Sequence, residues 1–307
     1  MKTILFTGGS SLLAQTWIKE NQLEFNYILG LHKREPDQNK FKTIFVQYDS
    51  VDKIKEQINK LKVDVIINCI GLTNVEDCEK NPELAKKVNE NIPKNIARAC
   101  FECKIKFVQI STDHLFDGNS SYYSETFSCN PLNVYGVTKA QGEKVVLDVN
   151  PQALVIRTNF FGSGPSYKAS FSDRILENLD SGVTSNLFDD VYYTPVSVSA
   201  LRKMVIALLN KKGKGIFNIC SNERLTKYQF GILLAKTYGY PTSLIKPISI
   251  NEVPNLTSRP KDMSLSNHKL CSYLGSFFPS IKEQINELKL DQFLNKKRLV
   301  IPYGRQD

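Results

Sequence analysis

The sequence predicts an α/β fold: a doubly wound parallel sheet carrying a smaller, mainly helical C-terminal lobe. Three observations support it. Short β-branched runs alternate with longer segments of helical period through the first half of the chain. A glycine-containing turn joins the first strand to the first helix. The alternation then loosens after Thr158.

Strands are expected at residues 3–7, 27–31, 43–46, 63–68, 106–111 and 154–158, and helices at 12–21, 51–60, 82–102 and 133–149, with Asn133 as the N-cap of the last. Parallel strands joined in this way need helices on both faces of the sheet. Past Thr158 comes a stretch rich in Gly, Ser and Tyr at 161–167, then a helix at 170–179. A helix at 198–209 and a strand at 215–219 return to the sheet. From Asn222 onward the pattern is helical, with turns marked by Pro241, Pro247, Pro254 and Pro260.

The 307 residues suffice for a proper core without disulfides or a structural metal. A hydrophobic fraction of 41% and a charged fraction of 23% exclude a disordered or fibrous chain. Basic residues exceed acidic ones by 40 to 31, for a net charge of +9, which admits nucleic acid, an anionic membrane or a phosphorylated small molecule as partner. The cations are scattered, as at Lys211, Lys212, Lys214, Lys296 and Lys297, with no interleaved aromatics. That distribution suits a solvated surface and a diphosphate ligand, and nucleic acid is not expected as a partner.

Seven cysteines, an odd number set in apolar or helical contexts, read as reduced thiols. Cys100 and Cys103 form a single CxxC pair, and His32, His114 and His268 lie far apart, so no metal is expected. The N-terminal apolar run is broken by Gly8-Gly9 before it reaches the length of a signal segment, and no run is long enough for a bilayer span. The expectation is a cytoplasmic protein with no membrane partner.

The first strand ends in Thr7-Gly8-Gly9-Ser10-Ser11-Leu12-Leu13-Ala14 and a helix follows. In that context a turn presents backbone N–H groups and the helix dipole to a pyrophosphate, the arrangement of a Rossmann-type nucleotide-binding unit. Gly8, Ser11 and Ala14 stand where a GxxGxxG pattern has three glycines. Ser11 is the departure: its Cβ crowds the phosphate, or its hydroxyl donates to it. The second strand ends in Gly30-Leu31-His32-Lys33-Arg34, without the carboxylate that binds the ribose of NAD. Lys33 and Arg34 suit the 2′-phosphate of NADP, so NADPH is favoured, with NADH and a solvated basic loop as the alternatives.

Residues 1–160 therefore read as the NADP-binding unit, rejoined by 187–220, with 161–186 and 221–307 forming the substrate lobe.

Tyr135 and Lys139 are spaced i, i+4, which on a helix puts phenol and ammonium on one face. A neighbouring ammonium and a cationic nicotinamide ring favour the phenolate, which would bring a group titrating near pH ~10 toward the range of a general acid. The fifth strand ends in Gln109-Ile110-Ser111-Thr112-Asp113, at the carboxyl edge where parallel sheets open their ligand crevice. There a hydroxyl either binds a reacting carbonyl or caps the following turn.

Two segments, 111–118 (STDHLFDG) and 131–139 (PLNVYGVTK), resemble the dTDP-4-dehydrorhamnose reductase family of extended short-chain dehydrogenases/reductases. Weaker matches run along most of the chain: Gly71 to Asp77, Pro82 to Ala85, Arg157-Thr158, Tyr193-Thr194-Pro195 and Ser258-Arg259-Pro260. The resemblance implies NADPH-dependent reduction of the 4-keto group of a nucleotide-diphosphate (deoxy)sugar in surface polysaccharide biosynthesis, in a protein expected to form a homodimer. By it Tyr135 protonates the C4 oxygen, Lys139 lowers the tyrosine pKa and holds the nicotinamide ribose, and Thr112 bonds the carbonyl.

The cofactor residues expected are Gly8, Ser10, Ser11, Leu12 and Leu13 at the turn, His32, Lys33, Arg34, Asp49 and Ser50 at the adenosine end, and Cys69, Ile70 and Gly71 beside Tyr135 and Lys139. Thr73, Val75, Asp113, His114, Asn159 and Phe161 are expected around the sugar, and Arg259 at the diphosphate, unless it pairs with a carboxylate instead. His114 replaces the family's usual aromatic phenol and Leu72 its usual histidine, so the sugar pocket differs. A dehydratase would follow Thr112 with an Asp-Glu pair, which is not present. Two alternatives remain: an epimerase using the same Tyr and Lys, and a non-catalytic NADP-binding module resembling the regulatory subunit of methionine adenosyltransferase.

Overall fold

The structure is a computed structural model describing residues 1–20, 24–32, 41–275 and 278–300. The nucleotide-binding half runs β1 (Thr3–Thr7), α1 (Leu12–Glu20), β2 (Asn26–Leu31), β3 (Lys42–Phe45), α2 (Val51–Leu61), β4 (Val65–Asn68), α3 (Val75–Lys80), α4 (Pro82–Lys86), α5 (Ile92–Glu102), β5 (Lys106–Ile110), α6 (Val134–Val149) and β6 (Leu154–Arg157). The remainder runs β7 (Phe160–Phe161), α7 (Phe171–Asp180), β8 (Ser185–Phe188), β9 (Tyr192–Tyr193), β10 (Val196–Ser197), α8 (Val198–Asn210), β11 (Gly215–Asn218), β12 (Leu225–Thr226), α9 (Lys227–Tyr238), β13 (Ile245–Ile248), α10 (His268–Leu274) and α11 (Ile281–Val300).

Seven strands form one parallel sheet in the order β11-β6-β5-β4-β1-β2-β3. The alternation of side chains along each strand sorts the core into two layers. Ile4, Phe6, Val65, Ile67, Val108 and Ile156 pack against α1 and α8, with Trp17 fully buried edge-on to Phe6. Leu5, Ile66, Phe107 and Val155 pack against α2, α5 and α6. Such two-sided burial, worth about 1.5–3 kcal/mol per large apolar side chain, is why these strands read as nearly continuous apolar runs. The doubly wound prediction therefore holds, and the strand order reverses between β1 and β4, opening a crevice at their carboxyl ends.

The expected single helix at 82–102 is instead three pieces. Between α4 and α5 lies a π-helical segment, Lys87–Asn91. Pro93 explains it: a proline has no N–H for the carbonyl four residues back, here Asn89, and its ring displaces that carbonyl. The freed Asn89 carbonyl abuts α6 at Gly142, where a Cβ would stand 2.2 Å from it.

The second part of the chain has its own core. Ile175 and Leu179 of α7, Phe230 and Leu234 of α9, and Ile281, Ile285 and Leu288 of α11 enclose Leu187 and Ile245. Those last two lie on a short parallel pair, β8 and β13, in which Pro247 faces Leu187. Pro247 was expected to mark a turn. It stands instead within a strand, which an edge position in a two-stranded sheet allows. The return to the main sheet is made by α8 and β11, whereas β8 and β9 pair with β13 and β12. No helix among the described residues is long and apolar enough to cross a membrane.

Candidate active site

A cavity of about 480 Å³ opens at the reversal point of the sheet. It is bounded by the turn after β1, the segment after β4, the end of β5, one face of α6 and the segment after β6.

The turn after β1 is shaped by close approach. Gly8 has φ +72°, and a Cβ there would meet the Cys69 and Ile70 backbone at 3.0 Å. Ser11 resolves the ambiguity of its sequence position. Its Oγ accepts from Ala14 N at 3.2 Å, capping α1. The cap leaves Leu12 and Leu13, whose first-turn N–H groups have no acceptor within the helix, lining the cavity with Ser11. The Ser11 hydroxyl is therefore turned to the helix backbone. Tyr167 Oη donates to Ser10 O at 2.9 Å and Thr16 Oγ1 to Ser163 O at 2.6 Å, so the segment after β7 straps across the turn and brings Lys168 to the cavity wall.

Behind the turn, Thr7 Oγ1 donates to Asn68 Oδ1 at 2.6 Å, and Asn68 Nδ2 donates to Gln109 Oε1 at 2.8 Å. This buried chain ties the carboxyl ends of β1, β4 and β5 together and fixes the spacing of the cavity floor.

Tyr135, Lys139 and Glu143 lie on one face of α6, a helix capped by Asn133 as expected, with Gly136 N donating to Asn133 Oδ1 at 2.9 Å. Tyr135 and Lys139 are buried and both line the cavity with Thr112. Lys139 Nζ donates to the Ile110 carbonyl at 2.9 Å. Burial pulls its pKa down to about 8, against the opposing pull of the Glu143 carboxylate. The Tyr135 phenol departs from expectation. Burial pushes it well above its ordinary value, with a hydrogen bond from Thr112 opposing and the Asp113 carboxylate adding to the rise. The Glu143 carboxylate is itself buried, accepting from Ser111 Oγ and from Arg157 Nε and Nη2.

Asp113 accepts from Asn159 Nδ2 at 2.7 Å. His114 packs edge-on to Tyr135, 5.5 Å between ring centroids, and burial lowers its pKa despite Asp113 beside it, so the imidazole is neutral at pH 7. The Lys227 ammonium sits 3.2 Å from the centre of the Tyr193 ring, and burial brings its pKa to about 8, with Asp113 opposing. Asn89 of the π segment holds the segment after β4: its Oδ1 accepts from Leu72 N at 2.9 Å and its Nδ2 donates to Leu72 O at 3.0 Å and to Thr138 Oγ1 at 3.1 Å.

Of the residues expected at the cofactor, Ser11, Leu12, Leu13, Cys69, Ile70, Gly71, Tyr135 and Lys139 line the cavity, and Gly8 shapes it. Ser10 takes part through its carbonyl. His32 is exposed, Asp49 pairs with Lys87 at 3.3 Å, and Lys33 and Arg34 lie outside the described residues. Ser50 is the N-cap of α2, accepting from Lys53 N at 3.4 Å. Thr73, Val75, Asp113, His114 and Asn159, expected around the sugar, and Arg259, expected at the diphosphate, all line the cavity.

Phe161 does not. It is buried in the second core against Phe230, and its neighbour Phe160 lines the cavity instead, because successive side chains of an extended segment point opposite ways. Arg259 pairs with the Glu76 carboxylate, the alternative left open by the sequence. Glu76, Lys168, Asn89 and Lys227 were not anticipated. Only Asn89 had a readable signal, the proline four residues on. No grouping of metal-ligating side chains occurs among the described residues.

A parallel sheet with a glycine turn at its reversal point, and Thr112, Tyr135 and Lys139 in one crevice, define an extended short-chain dehydrogenase/reductase. Residues 1–293 match the RmlD substrate binding domain family, and the chain belongs to it. The probable low-salt glycan biosynthesis reductase Agl14 of Haloferax volcanii is 29% identical over 92% of this chain and 96% of its own length. The methionine adenosyltransferase 2 subunit beta of Xenopus laevis is 28% identical over 87% of this chain and 80% of its own. A dTDP-4-dehydrorhamnose reductase of Clostridium acetobutylicum superposes with a TM-score of 0.79 at 26% identity, covering 95% of this chain and 99% of that one. The dTDP-4-dehydrorhamnose reductase of Bacillus anthracis, solved in complex with NADP, gives a TM-score of 0.82 at 21% identity over 95% of this chain and 100% of that one, a likeness of fold.

Proposed function

We propose that the chain is a cytoplasmic NADPH-dependent reductase of the 4-keto group of a nucleotide-linked deoxysugar, working in surface glycan synthesis as a homodimer. The observation that carries this reading is the convergence of Thr112, Tyr135 and Lys139 on one cavity whose other end is a capped helix N-terminus. Reductase names among relatives that align along most of their length support it. Residues 1–160, rejoined by α8 and β11, carry the cofactor, and the part of the chain built on α7, α9 and α11 completes the nucleotide-sugar side.

The turn after β1 fits a dinucleotide: Leu12 and Leu13 N–H groups take the pyrophosphate, and the close approach at Gly8 leaves no side chain in its way. When bound, the nicotinamide supplies the hydride. The chain's own residues manage the proton. Tyr135 Oη donates to the ketone oxygen as charge develops there, and Thr112 Oγ1 bonds the same oxygen and aligns it. The raised phenol of the free protein keeps the proton on Tyr135 until substrate arrives. The Lys139 ammonium then stabilises the phenolate and bonds the nicotinamide ribose. Asp113, Asn159 and neutral His114 position the sugar hydroxyls.

The test is NADPH oxidation against dTDP-, UDP-, GDP- and CDP-4-keto-6-deoxysugars. Turnover on one nucleotide series, lost by a factor of about 10² or more in Tyr135→Phe, is the expected result. The match to the methionine adenosyltransferase subunit favours a second reading, a binding module, which NADPH binding without turnover on every substrate would establish. Turnover without net NADPH consumption would mark an epimerase.

A further inference from the structure

Arg259 lines the cavity from the C-terminal part of the chain. Its loop is fastened to the sheet side independently of its guanidinium. Asn133 Nδ2 donates to the Ser258 carbonyl at 2.9 Å, and Gly118, at φ +82°, lets Lys261 N approach to 2.8 Å from where a Cβ would stand. From this anchored loop the guanidinium reaches the Glu76 carboxylate on α3. The other end is fixed as well: Glu79, on the same short helix, accepts from Val134 N at 2.7 Å. The pair is therefore a bar between two held points, and both of its members line the cavity. Arg259 also has unused capacity, since its Nε is buried with no partner among the described residues.

We infer that Glu76 is a specificity-determining residue: it occupies Arg259 in the resting site and is exchanged for the diphosphate of the incoming nucleotide sugar. The inference rests on the nucleotide-sugar reading above. A guanidinium already paired with a carboxylate is surrendered only to an acceptor that offers its planar fork more charge and more oxygens. A diphosphate meets that condition, and a neutral or singly charged ligand does not. The released Glu76 carboxylate then stays beside the diphosphate and works against it, so this one residue sets how tightly phosphate-bearing ligands are held. Ionisation of Glu76 at neutral pH follows from a carboxyl held below its ordinary value, burial being outweighed by hydrogen bonds from the backbone and Arg259.

The experiment titrates NADPH-saturated protein by calorimetry with dTDP, UDP, GDP and CDP and with their nucleosides, in wild type and in Glu76→Gln. Partly exposed ion pairs are modest, so the variant should bind its preferred diphosphate about three- to tenfold more tightly. The matching nucleoside should be unaffected, and the gain should shrink as salt is added. A gain of affinity is not something a misfolded variant produces. Equal diphosphate affinity in the two proteins, or an equal gain for the nucleoside, overturns the exchange while leaving the reductase reading intact. Binding of no diphosphate by either protein overturns the nucleotide-sugar reading and the exchange with it.

Discussion

Replacing Glu143 by alanine removes the anion at the centre of a buried network directly behind the site. Glu143 and Arg157 are 4% and 3% exposed. The guanidinium donates from Nε to both carboxylate oxygens at 3.1 Å and from Nη2 at 2.8 Å, and Ser111 Oγ donates as well. Alanine leaves a buried guanidinium uncompensated, at a cost of about 3–5 kcal/mol, and strips the Ser111 hydroxyl of its acceptor, which adds about 1 kcal/mol. Against a typical total of about 5–15 kcal/mol, that is a large share. Urea unfolding at pH 7 should show a midpoint lowered by an amount equivalent to about 4–6 kcal/mol, with an unchanged slope. The double variant Glu143→Leu with Arg157→Met should recover much of the loss, since removing both charges spares the desolvation of each. A loss below about 1 kcal/mol in Glu143→Ala, the size of a surface ion pair, would refute the view that this network holds the floor of the site.

Lys139 gives a pH signature. Its folded pKa lies near 8, below the 10.5 of the exposed side chain, so between those values the unfolded chain binds more protons and stability rises with pH. Wild type should gain about 3 kcal/mol relative to Lys139→Met between pH 7 and 10.5, measured as paired urea midpoints; a flat difference would remove the buried charge from the account. The same titration should make turnover fall as pH rises through about 8, because the ammonium that stabilises the phenolate is lost. Gly142→Ala places a methyl 2.2 Å from the Asn89 carbonyl, and should cost about 1–3 kcal/mol of overpacking, read as a lowered melting temperature; an unchanged melt would mean that the contact between α6 and the π segment is slack.

The central sheet was legible because its inner strands, β1, β4, β5 and β6, bury both faces and read as apolar runs between segments of helical period. The site was legible where its residues are neighbours in sequence: the turn from Gly8 to Leu13, Thr112, and the i, i+4 pair on α6. What escaped depends on partners far away in the chain. Glu76 meets Arg259 across 183 positions, and Lys227 reaches Tyr193 from the start of α9, with nothing in either local sequence to suggest it. Phe161 failed as a site residue because a strand of two residues carries no readable alternation, and Phe160 and Phe161 are indistinguishable until the backbone assigns them opposite sides. Pro247 failed as a turn marker because a two-stranded edge leaves little local signal.

Pro93 also makes the chain keep count. The wide turn at Lys87–Asn91 absorbs the equivalent of one extra residue without opening a loop. Wind that segment as regular α-helix at the same length, and everything ahead of the join turns by about 100°. Lys86, now exposed, would then stand where Ala85 is fully buried beside Val75, Cys78 and Tyr135. A charged butylammonium chain would be driven into a space built for a methyl, against the very phenol the site is arranged around. The width of this one turn, more than the identity of most residues in it, is therefore what the crevice cannot let drift.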